Sequence, residues 1–552
     1  MKNRKILNRK QFPKLQIIAI LIVSTLLASC SQPSSRSANM PSSPSYTTTT
    51  NTSSMGDGSG LGRGNGTGTF GKSAPNGGFA PEEEKSKGER YAEIDENPFL
   101  ESSRAPLSTF SIDVDTASYS NVRRFINDGQ TPPRDAVRIE ELINYFEYDY
   151  PQPVGDVPFS VTNEIAACPW NSKHKIVSIG LQGKKISLDN VPPSNLVFLL
   201  DVSGSMNAPD KLPLLKASLK TLINQLSAKD RIAIVTYAGN SGLALPSTTA
   251  DRKADIINAL DNLNAGGSTN GGQGIQLAYK VAQDNFIADG NNRVILATDG
   301  DFNLGLTSDN ELVSLIENKR KSNVFLSVIG FGTGNTNDSM MEKLADKGNG
   351  NYAYIDTIDE ARKALGSQVA GTLYTIAKDV KIQVEFNPAK VNGYRLIGYE
   401  NRILAAKDFN DDKKDAGEIG AGISVTALYE IVPKGETIDN KGVDDLKYSQ
   451  PKSMGDANSR ELLTVKLRYK EPKESESKLL SIGLTDTNKS FESASDNLRF
   501  ASSVAEFGLL LRDSRYKGTA SFNQVAQIAN SSKGSDLKGY RADFVELVGK
   551  AK

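Results

Sequence analysis

A short loop near the middle of the chain carries three oxygen-bearing side chains at alternate positions. Five consecutive apolar residues, Leu196–Leu200, lead into Asp201, and Ser203 and Ser205 follow. Such an apolar run, bounded by turn-forming residues, predicts a parallel strand that is buried on both faces and ends at Asp201. Carboxylate and hydroxyl oxygens are hard ligands that suit Mg²⁺ or Mn²⁺ better than zinc or copper. The loop is therefore a candidate cation site, although three such residues could also form a turn that hydrogen-bonds its own backbone.

Two later segments carry side chains of the same chemistry. Thr269 lies in the glycine-rich stretch Ala265–Gly271, just ahead of a helical pattern. A second apolar run, Val294–Thr298, ends at Asp299. Ligands of open α/β sheets bind in the crevice at the carboxyl ends of the strands, so these side chains are expected to converge there.

The three segments together resemble the metal-ion-dependent adhesion site of the von Willebrand factor type A domain. That site is built from Asp-x-Ser-x-Ser, a Thr and an Asp, and all five positions are filled here in the expected order. The resemblance implies that Ser203, Ser205 and Thr269 ligate the metal directly, whereas Asp201 and Asp299 act through water. It implies Mg²⁺ as the cofactor, with Mn²⁺ or Ca²⁺ as alternatives.

The donor set suggests a docking site. Three neutral hydroxyls and two carboxylates held back behind water leave a cation under-neutralised, so a remaining position would attract an acidic side chain. We therefore predict a protein that binds, through the cation, an Asp or Glu carboxylate of an unidentified partner protein. Adhesion and envelope-assembly adaptor roles both fit this chemistry.

A metal-dependent hydrolase of phosphoesters or envelope polymers is the alternative. The chain has a single histidine, His174, which lies in a polar, charged stretch and is predicted to be an ordinary surface residue. No glutamate or lysine stands out near the motif as a group that could move protons. The sequence therefore favours a protein that is not an enzyme.

Residues 193–376, which we call the metal domain, follow the alternating pattern of strands and helices in a doubly wound, Rossmann-like α/β domain. A helix is predicted over Leu212–Leu226, an edge strand over Tyr352–Ile355 and a final helix over Ile358–Ile376. Every candidate ligand then lies at a strand's carboxyl end or in the loop behind it.

The start of the chain has the features of a lipoprotein. Basic residues in Met1–Lys14 precede the apolar run Leu15–Leu27, and Leu27-Ala-Ser-Cys30 resembles the bacterial lipoprotein box. We predict a signal peptide over residues 1–29, a lipid on Cys30, and a disordered Ser/Thr/Gly-rich linker over residues 30–96. The protein is then anchored to a membrane of the bacterial envelope. Ser31 after Cys30 favours the outer membrane, with the folded part facing the periplasm or the surface.

Strand-like alternation flanks the metal domain on both sides, in an α+β extension over residues 97–192 and a β-rich domain over residues 377–552 that ends in helices. Leu107–Tyr119 and Arg138–Phe146 resemble the extension that precedes the A-type domain in a group of bacterial lipoproteins. Residues 391–402 and 415–422 resemble the uncharacterised C-terminal domain of the same group. We therefore predict that the metal domain is inserted in, or flanked by, β-rich modules.

Composition excludes several other classes. Lys plus Arg and Asp plus Glu are equal at 65 each, so no net charge favours nucleic acid, and no nucleic-acid partner is expected. The two cysteines, Cys30 and Cys168, allow no intrachain disulfide once Cys30 is lipidated, and Cys168 is predicted to be a packed residue. The run Asp113-Val-Asp115-Thr116 is reminiscent of the Asp-x-Asp-x-Thr motif of haloacid-dehalogenase-like phosphatases, but the accompanying segments of that family are not evident.

Overall fold

The computed structural model describes residues 88–187, 191–238, 241–267, 271–300, 309–438 and 455–552. The predicted signal peptide, the predicted lipidation site Cys30 and the predicted metal ligand Thr269 therefore lie outside the described residues. None of the helices in the described ranges combines the length and the hydrophobicity that a membrane span requires.

The strands of the described ranges form three sheets. In chain order they are β1 (Leu100–Glu101), β2 (Leu107–Ser111), β3 (Phe159–Cys168), β4 (Asn171–Gly183), β5 (Ser194–Asp201), β6 (Arg231–Tyr237), β7 (Gly242–Thr249), β8 (Asn291–Thr298), β9 (Phe325–Phe331), β10 (Tyr352–Ile355), β11 (Thr375–Phe386), β12 (Val391–Ile397), β13 (Gly417–Gly420), β14 (Ser424–Pro433), β15 (Glu461–Lys470) and β16 (Lys478–Thr485).

The α-helices of the same ranges fall into two groups, one around the metal domain and one formed by both ends of the described chain. They are α1 (Ala117–Asn127), α2 (Ile139–Asn144), α3 (Leu212–Gln225), α4 (Lys253–Asp261), α5 (Gly271–Asp284), α6 (Asp309–Arg320), α7 (Asp338–Lys347), α8 (Ile358–Arg362), α9 (Val369–Leu373), α10 (Asp496–Leu511), α11 (Phe522–Ser531) and α12 (Tyr540–Lys550).

The metal domain is built on a six-stranded sheet in the order β10-β9-β8-β5-β6-β7. The pairs from β10 to β6 are parallel, and β7 is an antiparallel edge strand. All eight residues of the central strand β5 are buried. Apolar residues of α3 and α5 pack on opposite faces of the sheet, so helices cover both faces as the doubly wound prediction requires.

Two details of this domain differ from the sequence prediction. The edge strand β7 was not anticipated, because it contains Pro246 and exposes Leu243, so it has no continuous apolar run. The single helix predicted over Ile358–Ile376 is wrong. It is interrupted by a π-helical turn at Lys363–Ser367 and ends at Leu373, where the strand β11 begins two residues later.

The remaining strands form a β-sandwich to which both flanks contribute. One sheet has the order β1-β12-β14-β4-β3, so strands from before and after the metal domain are neighbours. In the other sheet β11 pairs with β15, and its opposite edge pairs with β2 and β13. The two inner faces share one apolar core, which includes Phe110, Val177, Ile382 and Val425. The metal domain is therefore inserted between β4 and β11 of this sandwich.

A helical cluster packs against the sandwich, and we call the sandwich and this cluster together the frame. Side chains of α1 and α2 pack with those of α10, α11 and α12 around aromatic residues that include Phe146, Phe500 and Phe544. Phe146 and Phe500 make an edge contact with ring centroids 5.0 Å apart. Segments at both ends of the described chain are thus held in one core.

Candidate metal centre

Asp201 ends the central strand β5 with its carboxylate fully buried. The backbone N–H of Ser203 donates to its Oδ1 at 2.9 Å, and the hydroxyl of Thr298 at the end of β8 donates to its Oδ2 at 3.3 Å. These two bonds fix the carboxylate at the edge where β5 and β8 end side by side. Asp201 therefore lies at the carboxyl end of a buried central strand, where the sequence predicts it.

The two predicted serine ligands lie together. Ser203 Oγ and Ser205 Oγ are 2.9 Å apart. Ser203 is buried and Ser205 is exposed, so the two hydroxyls lie between the buried carboxylate of Asp201 and the solvent. A cation bound by these hydroxyls would be reachable from outside the protein.

Asp299 follows β8 directly and is also fully buried. The next residue, Gly300, has φ +90°, and a Cβ atom there would lie 2.5 Å from the backbone nitrogen of Asn337. Burial, and secondarily the charge of Asp299, raises the pKa of Asp201 to about 6. Two carboxylates buried at the ends of adjacent strands favour a bound cation.

The glycine-rich loop is described as far as Gly267, and α5 begins at Gly271. The N–H of Gly204 donates to Gly267 O at 3.1 Å, and the N–H of Gly266 donates to Val202 O at 2.8 Å. This loop is therefore bound to the Asp-x-Ser-x-Ser loop through its backbone. Thr269 itself remains a prediction.

A lysine also belongs to the centre, and the sequence pattern gives no sign of it. Lys211 Nζ donates to Asp299 Oδ2 at 2.9 Å and to Asn335 Oδ1 at 3.1 Å. The sequence analysis singled out no lysine near the motif that could move protons, yet the ammonium of Lys211 lies beside Asp299. The signal is hard to find in the sequence, because Lys211 and Asp299 are 88 residues apart.

The described residues fit a divalent cation. Two buried carboxylates and one ammonium leave one negative charge when both carboxylates are ionised. The adjacent hydroxyls of Ser203 and Ser205 add neutral hard oxygens on the solvent side. Asp201, Ser203, Ser205 and Asp299 are the described residues that would hold the ion.

A second acidic group lies where the metal domain meets the frame, and we call it the junction cluster. Arg138 and Arg402 form ion pairs there with six carboxylates: Asp113, Asp115, Glu141, Asp338, Glu342 and Asp346. Oxygens of Asp113, Glu141 and Glu342 lie within 4.8 Å of one another. Because arginines already face these carboxylates, the cluster serves to join the parts of the protein, and the Asp113-x-Asp115 motif has a structural role in it.

Two residues considered for chemistry lie in the frame. Cys168 is buried in the helical core, as predicted. His174 is not an ordinary surface residue: its side chain is 11% exposed, and its Nδ1 lies 2.5 Å from the buried Glu430 Oε1. Neither residue belongs to the metal centre.

Three family models match the chain in succession. They are a von Willebrand factor model over residues 85–178, the von Willebrand factor type A domain over residues 195–366, and the C-terminal model of the uncharacterized protein YfbK over residues 371–552. The last two matches cover the metal domain and the part of the sandwich and helical cluster that follows it.

Individual proteins of known sequence or structure are also similar to this chain. The uncharacterized protein YfbK of Escherichia coli strain K12 is 45% identical over 469 residues, which cover 83% of this chain and 80% of that protein. Inter-alpha-trypsin inhibitor heavy chain H3 of Rattus norvegicus is 25% identical over 172 residues, or 29% of this chain and 19% of that protein. The solved structure of a von Willebrand factor type A protein from Catenulispora acidiphila covers 73% of this chain and 91% of that chain, with 17% identity and a TM-score of 0.39.

The identity to Escherichia coli YfbK extends through the metal domain and the frame on either side of it, since it spans most of both proteins. The chain therefore belongs to the family of YfbK, and its inserted domain is a von Willebrand factor type A domain.

Proposed function

We propose that this protein binds a partner protein through a divalent cation, as an adhesion protein or an assembly adaptor of the bacterial envelope. One observation carries the proposal: the hydroxyls of Ser203 and Ser205 lie 2.9 Å apart beside the buried Asp201, with Ser205 open to solvent. The inserted domain belongs to a class that often serves protein interaction or adhesion, which supports a binding role.

The residues of the centre divide the work of such a site. Asp201 and Asp299 provide negative charge on the buried side of the site, while Ser203 and Ser205 provide neutral oxygens on the solvent side. A bound Mg²⁺ supplies an electrophilic position that attracts a carboxylate. The partner is therefore expected to contribute an Asp or Glu side chain.

The location of the protein is part of the proposal. A lipid on Cys30 would hold the chain on a membrane, and the Ser/Thr/Gly-rich stretch after it would let the folded part stand away from that membrane. A Cys30→Ala variant should lose metabolic labelling by fatty acid and leave the membrane fraction. Retention of both would contradict the anchor.

Capture of envelope proteins tests the binding role. Purified protein immobilised with Mg²⁺ should retain a partner from detergent-solubilised membranes, release it into EDTA and retain it again after Mg²⁺ is restored. The variant Asp299→Ala should retain no partner. The control is Asp284→Ala, because the side chain of Asp284 in α5 is 57% exposed, and this variant should behave as the wild type. Retention that is indifferent to EDTA would contradict the proposal.

The hydrolase alternative has its own outcome. Turnover of a generic phosphoester by the pure protein, lost in Asp201→Ala, would identify an enzyme that uses the same cation. We expect no turnover, because Lys211, the described basic side chain at the centre, is held by Asp299 and Asn335.

A further inference from the structure

A lysine ammonium is built into the metal centre as a fixed charge. Lys211 Nζ lies 2.9 Å from Asp299 Oδ2, and the side-chain amide of Asn335 donates to the same oxygen at 3.3 Å. Lys211 also donates to Asn335 Oδ1 at 3.1 Å, so the three side chains form a closed set of hydrogen bonds. One oxygen of a predicted metal ligand is thus already engaged by a cation of the chain.

The position of this ammonium is set by the backbone on two sides. Lys211 is 7% exposed and immediately precedes α3, where its N–H donates to Ala208 O and its C=O accepts from Leu215 N. Its aliphatic stem passes over Gly332, which has φ +73°, and a Cβ atom there would lie 2.3 Å from Lys211 Cγ. A glycine is therefore required at 332 for the stem to reach Asp299.

A positive charge at this distance acts on any cation that uses Asp299. The carboxylate and the ammonium partly neutralise each other, and the ammonium repels a second cation in a buried position where water screens little. The hydrogen bonds alone would have the opposite effect, because they would orient Asp299 for the metal. The two effects therefore predict opposite changes in Mg²⁺ affinity when Lys211 is replaced by a neutral residue that cannot donate a hydrogen bond.

We propose that Lys211 is an internal counter-charge that keeps the affinity of the centre for Mg²⁺ low. This inference rests on the proposed function, since it assigns a regulator to the same site. With Lys211 in place, the cation is bound weakly by the protein alone, and a carboxylate from the partner supplies the missing negative charge. Metal occupancy and partner binding are then coupled.

Two substitutions separate charge from hydrogen bonding. Lys211→Met removes both and keeps a stem of similar length, whereas Lys211→Gln removes the charge and keeps a donor. Calorimetric titration with MgCl₂ should give a Kd at least about tenfold lower for both variants than for the wild type. Lys220→Met is the matched control, because Lys220 lies on the same helix α3 and pairs with Asp261, away from the centre. Its Kd should not change.

Thermal unfolding gives a second measurement that does not depend on calorimetry. In EDTA, Lys211→Met should unfold at a lower temperature than the wild type, because Asp299 keeps a buried charge without its counter-charge. Saturating Mg²⁺ should raise its unfolding temperature by more than it raises that of the wild type.

The outcomes distinguish this inference from the proposed function. A Kd in Lys211→Met equal to or higher than that of the wild type, or a wild-type Kd restored in Lys211→Gln, would overturn the counter-charge and leave a positioning role for Lys211. Failure of the wild-type protein to bind Mg²⁺ more tightly than Ser203→Ala would overturn the proposed function itself.

Discussion

Buried carboxylates are stable in a protein only where a cation or a hydrogen-bond donor faces them. Asp299 meets this condition through Lys211, and Glu430 of the frame meets it through Arg395, His174 and the indole of Trp170. Burial opposes ionisation of Glu430, but the hydrogen bond from His174 and the charge of Arg395 hold the pKa of this carboxyl below its usual value.

Neutralising Glu430 is expected to destabilise the frame. Glu430→Gln leaves Arg395, which is 3% exposed, without the carboxylate it faces, and should lower the free energy of unfolding by about 3 kcal/mol. The emission of Trp170, the single tryptophan of the chain, reports the transition during urea unfolding. Glu436→Gln, at an exposed pair with Lys173, should change stability by less than about 0.5 kcal/mol. Equal stability of the two variants would contradict this account.

At this scale the sequence predicts residues whose role is local and misses those whose partner is distant. Asp201, Ser203 and Ser205 form one loop after one strand, so their spacing alone places them together. His174 and Glu430 are 256 residues apart, and nothing in the charged stretch around His174 indicates that pair. Lys211 escapes prediction for the same reason.

Among the elements, α9 and β13 approach each other backbone to backbone. A Cβ atom on Gly420 would lie 1.9 Å from Gly371 O, and one on Gly417 would lie 2.4 Å from Ile112 O. The two glycines of Gly417–Gly420 therefore allow α9, at the end of the metal domain, and Ile112, directly after β2, to pack against the backbone of β13. Backbone cannot move aside as a flexible side chain can.

Gly420→Ala should consequently lower the free energy of unfolding by about 3 kcal/mol, because the added methyl group meets a backbone carbonyl. Gly549→Ala is the control: nothing lies within 4 Å of its Cβ position in α12, and alanine is the better helix former, so stability should rise by about 1 kcal/mol. Chemical denaturation of both variants measures the difference. A stable Gly420→Ala protein would show that the close approach is not required.

Periodicity predicts most elements of the metal domain, because each buried strand is a continuous apolar run and each helix has an apolar stripe. It fails where a tertiary contact decides the backbone. The segment from Ile358 to Ile376 keeps a helical pattern, yet it is interrupted at Lys363–Ser367, where Lys363 Nζ donates to Tyr145 O of the frame at 2.7 Å.

At the scale of the whole molecule, the metal domain is inserted in a frame and joined to it by buried ion pairs. Arg138 of the extension contacts Asp338 at the start of α7 with 2.5 Å between Nη1 and Oδ2. Burial raises the pKa of Glu342 from 4.5 to about 8 although Arg138 and Arg402 oppose the shift, and raises that of Glu141 to about 7. The junction cluster is thus sensitive to pH.

The sign of that dependence follows from the shift of Glu342. The pKa of Glu342 is higher in the folded protein than in the unfolded chain. The stability that this shift contributes is therefore fully present below about pH 4.5 and is lost as the pH rises from there through about 8. The unfolding temperature of the wild type relative to Glu342→Gln should therefore fall from pH 6 to pH 9. Taking the difference between the two proteins cancels the titration of groups that do not interact with Glu342. Glu317→Gln, at an exposed pair with Lys347, should show a constant difference. A constant difference for Glu342→Gln would contradict the assignment.

Coupling between metal and frame is measurable at Trp170, which lies in the helical core outside the metal domain. If the ion pairs make the inserted domain and the frame unfold together, Mg²⁺ should raise the midpoint reported by Trp170 emission as much as the midpoint reported by circular dichroism. Ser203→Ala should abolish both shifts. If Mg²⁺ raised the midpoint from circular dichroism but left the midpoint from Trp170 emission unchanged, the two parts would unfold independently.

The measurement that tests the central claim most directly is calorimetric titration of metal-free protein with MgCl₂. We expect one binding site in the wild type and a Kd at least about tenfold higher in Ser203→Ala and in Asp299→Ala. A wild-type isotherm without binding, or the same isotherm in all three proteins, would contradict the metal centre.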